Sequence, residues 1–134
     1  MKTETSHFWF GTFKSEEEYF DFFNERESYY EDDTNEDEKY ISEFSKSQNE
    51  NFLDHDFMES GFEKQHISFE EKFKMYSYGE QWIFEAKNKL SEQNVNLEEI
   101  NTIVFISKDE IKMPVAINNP IFDLFYIGEI TYEI

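Results

Sequence analysis

The chain has 134 residues, enough for one domain and too few for two full cores. Its 31 acids against 12 basic residues give a formal net charge of −19, which excludes phosphate-led nucleic-acid binding and disfavours anionic membranes. Cysteine is absent, so disulfides, thiol catalysis and cysteine-bound zinc are excluded too.

A charged fraction of 32% would ordinarily point to disorder. Against it stand 16 Phe, 8 Tyr and 2 Trp. Each such ring can bury ~150–250 Å², enough together to build a core. The composition therefore predicts a folded acidic domain. A basic partner is what its field attracts, with steering that weakens in salt. Plain solubility is the simpler reading of the same charge. Residues 1–6 lack an apolar segment of the signal-peptide kind, and no stretch approaches the ~18 apolar residues of a membrane helix. A cytoplasmic protein is expected.

The run His7-Phe8-Trp9-Phe10-Gly11-Thr12-Phe13 reads as a first strand, buried on at least one face. Ser15-Glu16-Glu17-Glu18 has the form of a capping box, with three acids at the positive end of a helix dipole. Tyr19, Phe20, Phe23 and Tyr30 then suggest an apolar stripe on a helix over residues 16–29. Residues 31–38 hold six acids and nothing apolar, so they should form a solvated loop.

Tyr40, Ile41 and Phe44 open a second, short helix, with residues 42–48 on its polar side. Residues 51–58 fit a strand or a helix, with a strand preferred, and Gly61-Phe62 breaks the element. Residues 63–76 mix Phe69, Phe73 and Met75 with charges and give no clear pattern. A second capping box, Ser77-Tyr78-Gly79-Glu80, precedes a helix on which Trp82, Ile83, Ala86 and Leu90 recur, ending near Asn94.

The rest is β. Residues 101–107 form a continuous apolar run, as in a central strand covered on both faces. Lys108-Asp109-Glu110 reads as a turn. Residues 111–117 contain Pro114 and are an edge strand or extended loop. Asn118-Asn119-Pro120 turns the chain again. In the last strand, over residues 123–134, Ile130, Tyr132 and Ile134 alternate with Glu129, Thr131 and Glu133. The order predicts an α+β fold: one domain over 1–134, with a mixed, mainly antiparallel sheet of about four or five strands and helices packed on one face. Acids also cluster, with 19 in residues 1–66 and 12 in residues 67–134.

Catalytic signals are sparse. Asp54-His55-Asp56 could ligate a divalent metal, but in a strand the two carboxylates share one face and His55 points to the other. His7 or His66 would have to complete such a site. No nucleophile elbow or glycine-rich phosphate loop occurs. Carboxylate pairs of the glycosidase kind are uninformative where acids are this common. Trp9, Phe10, Trp82 and Ile83 read as core. Tyr29 and Tyr30 sit at a predicted helix end beside the acid run, a position suited to a binding rim or to cap packing.

The opening run and its following Glu- and Phe-rich helix resemble the start of the immunity protein 22 family of bacterial polymorphic toxin systems. Ile41-Ser42-Glu43-Phe44, Asp54-His55-Asp56-Phe57-Met58-Glu59 and Gly61-Phe62 are similar to that family's middle motif. Ser77-Tyr78 with the Trp82 helix, and Phe125-Tyr126-Ile127-Gly128-Glu129-Ile130, are similar to its later part. The resemblance implies a small α+β cytoplasmic protein that neutralises a toxin. It implies no enzyme: Trp9, Gly11, Asp54, His55, Asp56 and Phe57 carry no catalytic role in the family.

Taken together, these features predict a cofactor-free inhibitor that occludes a toxin domain with a basic surface, expected to be a nuclease, with a monomer favoured over a homo-oligomer. The predicted contacts are Glu31, Asp32, Asp33, Glu36, Asp37 and Glu38 for steering, then Tyr29, Tyr30, Asp54 and Asp56. A standard interface buries ~800 Å² per partner, so packed residues near the loop must contribute. The alternatives are a small hydrolase using Asp54 and Asp56, with or without a metal, and an acidic adaptor without a toxin partner.

Overall fold

Two uninterrupted apolar runs set the centre of the sheet. The computed structural model describes residues 2–23, 42–49, 58–65 and 67–134. Strand β1 (Thr3–Phe13) is buried from Ser6 through Gly11, and Phe8, Trp9 and Phe10 have no exposure at all. Successive strand side chains point to opposite faces, so a run buried without a break needs cover on both. Strand β3 (Thr102–Ser107) is buried from Thr102 to Ile106 for the same reason. With β2 (Met58–Phe62), β4 (Ile117–Asn118) and β5 (Phe122–Glu133), they form a five-stranded sheet in the order β2-β3-β1-β5-β4. Every neighbouring pair is antiparallel. The fold is α+β, as the sequence predicts.

The helices supply the cover, and they do so on both faces rather than the expected one. Phe8 and Phe10 of β1, Ile103 and Phe105 of β3, and Ile130 and Tyr132 of β5 pack against α3 (Phe69–Phe73) and α4 (Gly79–Glu92). Phe8 stacks on Phe105 with ring centroids 4.7 Å apart, and Trp82 of α4 closes on both. On the opposite face Trp9, Phe13, Val104, Ile106 and Leu124 pack against α1 (Glu16–Phe23) and α2 (Glu43–Ser47) through Tyr19, Phe23 and Phe44. Trp9 meets Phe44 edge-on at 5.2 Å and donates its indole N–H to Val115 O. A one-faced sheet would have left Trp9 or Phe8 in water.

Several local expectations change on contact with the rest of the chain. Ser15 accepts from Glu18 N at 3.2 Å, so half of the first capping box forms. On α1, Tyr19 and Phe23 are buried, but Phe20 is 45% exposed. Residues 24–29 of the predicted helix lie outside the described residues. Part of the supposed polar side of α2 is buried, at Ser42, Ser45 and Gln48: Ser42 Oγ caps the helix, and Gln48 exchanges two hydrogen bonds with the backbone of Val115. Gly61 and Phe62 belong to β2 instead of ending it, opposite Ile103 and Thr102. The Ser77 box does not form either. Tyr78 occupies the cap position in a left-handed conformation with no side-chain cap, and Ser77 N is bound by Glu59 across from β2. Trp82, Ile83, Ala86 and Leu90 are all buried on α4, as predicted. Ile134 lies past the end of β5 and is 47% exposed.

One irregularity places an aromatic pair. Phe8 is opposite Gly128 and Trp9 opposite Tyr126, so Ile127 is an extra residue on β5. Gly128 has φ of +97°, which a β-bulge tolerates most readily at glycine. The bulge sets Tyr126 beside Trp9 at 5.1 Å and turns its hydroxyl to His7.

Candidate interaction surface

The ten residues predicted as contacts, Tyr29, Tyr30, Glu31, Asp32, Asp33, Glu36, Asp37, Glu38, Asp54 and Asp56, all lie outside the described residues, as do His55 and His66. What is described is their flanks. Phe23 closes α1 and Phe44 opens α2, and their rings pack 5.2 Å apart on the Trp9 face. Met58 begins β2 opposite Ile106. His7 has a structural role. Its Nε2 lies 3.2 Å from Ile111 O, which can only accept, so Nε2 donates there, and Nδ1 lies 2.9 Å from the Tyr126 hydroxyl, within hydrogen-bond distance.

A second set of acids and rings, not singled out by sequence reasoning, meets where β2 faces the α3–α4 connection. Ser68 caps α3 by accepting from Glu71 N. The chain then passes Met75, Tyr76 and Tyr78 over the β2 side of the sheet. Tyr76 can lie there because Gly61 has no side chain: a Cβ at residue 61 would fall on the Tyr76 hydroxyl and within 2.5 Å of its Cζ. The hydroxyl donates to Glu63 Oε2 at 3.1 Å. Ser77 N donates to Glu59 Oε2 at 2.8 Å, and Ser107 Oγ donates to Glu4 Oε1 at 2.8 Å. Three carboxylates are thus held by one oxygen each, and the other oxygen is left to accept.

Two concavities run along this strip and share Glu59. One, of about 350 Å³, is lined by Glu59, Glu63, Glu71, Ile67, Met75 and Tyr76, together with Gln65 and Lys72. The other, of about 210 Å³, crosses the sheet end between Tyr78, Tyr132, Ile134 and the carboxylates of Glu4 and Glu59. Among the described residues, Lys72 is the one cation lining either, and it is 5% exposed with Nζ donating to Ile100 O at 2.7 Å and Glu98 O at 3.3 Å. Desolvation pushes its pKa down. The field at the strip is negative. Burial raises the Tyr76 phenol well above the usual tyrosine range, and the carboxylates of Glu63 and Glu59 add to the shift. Burial also raises Tyr132, with Glu4 and Glu59 contributing in the same direction.

A larger hollow, of about 820 Å³, adjoins the strip at the Phe13 and Phe62 ends of β1 and β2 and shares Glu63, Gln65 and Lys72 with the first concavity, but its charges compensate. Glu16, Glu63, Glu98 and Glu99 line it together with Lys14, Lys64 and Lys72, and Lys64 pairs with Glu16 at 3.1 Å. The β2 strip is the more one-sided surface. It offers hydrogen-bond acceptors, negative charge and exposed rings, which is the equipment for binding a cation-bearing partner. The signal available in the sequence was Met75 standing among charges in residues 63–76, a place where no core periodicity explains it.

Residues 7–133 match the family model for immunity protein 22. The chain belongs to the immunity protein 22 family. No curated protein and no solved structure matches it. Family membership carries a toxin-immunity role and a toxin protein as partner. Among the described residues, no helix is long and apolar enough to cross a membrane.

Proposed function

We propose that this immunity protein neutralises its toxin without catalysis, as a single cytoplasmic domain that binds the toxin and occludes its active site, and that the toxin is a nuclease. The observation that carries the reading is the family match over residues 7–133 in a chain of net charge −19. Nuclease sites present Lys and Arg to phosphate, so an acidic protein surface can take the place of the nucleic-acid backbone. Glu31, Asp32, Asp33, Glu36, Asp37 and Glu38 provide long-range steering, and Tyr29, Tyr30, Asp54 and Asp56 join the contact. Steering acts on the association rate and is screened over about 8–10 Å near physiological ionic strength.

The test is co-expression of the chain with the toxin domain encoded by the adjacent reading frame, followed by binding kinetics across a salt series. Rescue of the host, with association that slows as salt rises, is expected. Neutralising the six acids at 31–38 should slow association and flatten its salt response while a complex persists. Loss of protection from one change, Asp54→Asn or Asp56→Asn, with binding intact would instead mark a catalytic protein.

A further inference from the structure

The strip between β2 and the α3–α4 connection leaves large apolar side chains in water. Met75 is 83% exposed, Tyr78 50% and Ile134 47%. They are not on a loose tail. Tyr76, beside Met75, is held by Glu63 and by the space at Gly61, and Tyr78 rests 5.8 Å from the Tyr132 ring. Ile134 N donates to Lys2 O at 3.1 Å. The shape is therefore set before any partner arrives, which lowers the ordering cost of binding.

The charge around these side chains selects the occupant. Glu4, Glu59, Glu63 and Glu71 wall the two concavities, and the one cation among the described residues that lines them, Lys72 in the larger, is buried and committed to backbone carbonyls. A purely apolar ligand would desolvate these carboxylates with no counter-charge, which is costly. A second copy of the chain would bring the same four acids against them. Phosphate-bearing partners are repelled by the same sign. A protein segment carrying arginine fits all of the features at once. Its guanidinium can take the free carboxylate oxygens in a planar fork and stack on a tyrosine face, and its aliphatic stem can cover Met75.

We infer that this strip is the docking surface for a basic, arginine-bearing segment of the toxin, with Glu59, Glu63 and Glu71 receiving the guanidinium and Met75, Tyr76 and Tyr78 the side-chain stem. The inference rests on the toxin-binding reading and deepens it. It assigns the holding contact to the strip and leaves steering to the acids at 31–38. The two roles separate kinetically, because desolvated contacts govern dissociation and remote charges govern association.

The experiment uses the full chain and a catalytically inactivated form of the toxin domain from the adjacent reading frame, with association and dissociation rates measured on an immobilised partner. The variants are Met75→Ala and the double change Glu63→Gln/Glu71→Gln, with Glu92→Gln/Glu129→Gln as a charge-matched control at exposed positions off the strip. Met75 and Glu71 are exposed, and a glutamine at 63 can still accept from Tyr76, so the variants should keep the native far-ultraviolet spectrum. The double variant should weaken binding by roughly ten-fold or more and Met75→Ala by roughly three-fold or more, chiefly through faster dissociation, with the control within about two-fold. If the unaltered chain binds and both strip variants stay within about two-fold of it, the strip is refuted and the toxin reading stands. If the unaltered chain does not bind that domain, both fall together.

Discussion

Gly61→Ala is the substitution with the sharpest consequence. A methyl there would overlap the Tyr76 hydroxyl and sit 2.5 Å from Cζ and 2.7 Å from Cε2, so the ring must leave its seat or β2 must bend away from β3. If the ring leaves, its bond to the Glu63 carboxylate is lost, and a bond to a charged group contributes about 1.5–3 kcal/mol. If the strand bends, overpacking costs about 1–3 kcal/mol. The two escapes are alternatives and the cheaper one is taken, which puts the destabilisation at about 1–3 kcal/mol. For a domain of this size that lowers Tm by roughly 3–10 °C. Urea unfolding followed by tryptophan fluorescence measures it. The mechanism is checked in a Tyr76→Ala background. There the clash is gone and an alanine in a strand outperforms a glycine, so Gly61→Ala should be neutral or stabilising by up to about 1 kcal/mol. An equal cost in both backgrounds would refute the reasoning, because the obstruction would then not be Tyr76.

Two further outcomes follow from buried polar groups. Lys72→Met keeps the stem but leaves Ile100 O and Glu98 O without their donor, and should cost about 1–3 kcal/mol in chemical unfolding, with no gain from removing the buried charge large enough to reverse the sign. Above pH 10 the protein should lose stability progressively. Tyr19, Tyr76, Tyr126 and Tyr132 are all raised above the ordinary tyrosine value of 10.0, chiefly by burial, so the unfolded chain gives up these protons first. Their contribution is complete below pH 10 and is lost as pH rises toward the folded-state values. Lys72 is lowered and opposes the trend, one group against four. Denaturant midpoints at pH 8 and pH 11, with tyrosinate absorbance recorded alongside, should show unfolding and ionisation moving together. A midpoint that does not fall would contradict the assignment.

The parts of the fold written in contiguous residues were legible. Phe8-Trp9-Phe10 and Ile103-Val104-Phe105-Ile106 are apolar at every position, and they became the heart of the central strand β1 and of its neighbour β3. The stripe from Trp82 to Leu90 became the long helix. What failed depended on distant partners. Ser77 looks like a cap because Glu80 stands three residues on, but Ser77 N is taken by Glu59, 18 residues away in the chain. Gly61 looks like a breaker because its reason for being small is Tyr76. Gln48 looks like surface because Val115 is 67 residues distant. The one-faced helix layer was an error of a different kind. An unbroken apolar run such as Phe8-Trp9-Phe10 already requires cover on both faces, so the two helical layers were implied by the same residues that located the strand. The candidate surface was the least legible part, since Glu59, Glu63 and Met75 acquire meaning only when β2 and the α3–α4 connection are brought together.

The net charge of −19 does not act as one property. Part of it is structural: Glu16, Glu17 and Glu18 occupy the first turn of α1, Glu70 and Glu71 that of α3, and Glu80 that of α4, where the positive ends of the helix dipoles favour them. Glu70 is further tied to Lys87 of α4, which joins the two helices on that face. Other acids repel their neighbours and oppose folding, and salt should relieve that repulsion. Complex formation has the opposite response, because screening removes the attraction to a basic partner. Added salt should therefore leave the fold unchanged or firmer over the range in which it slows association. That opposition separates a chain acidic for solubility alone from one whose surplus charge is directed at a partner: the first would show the stability response with no binding response to set against it.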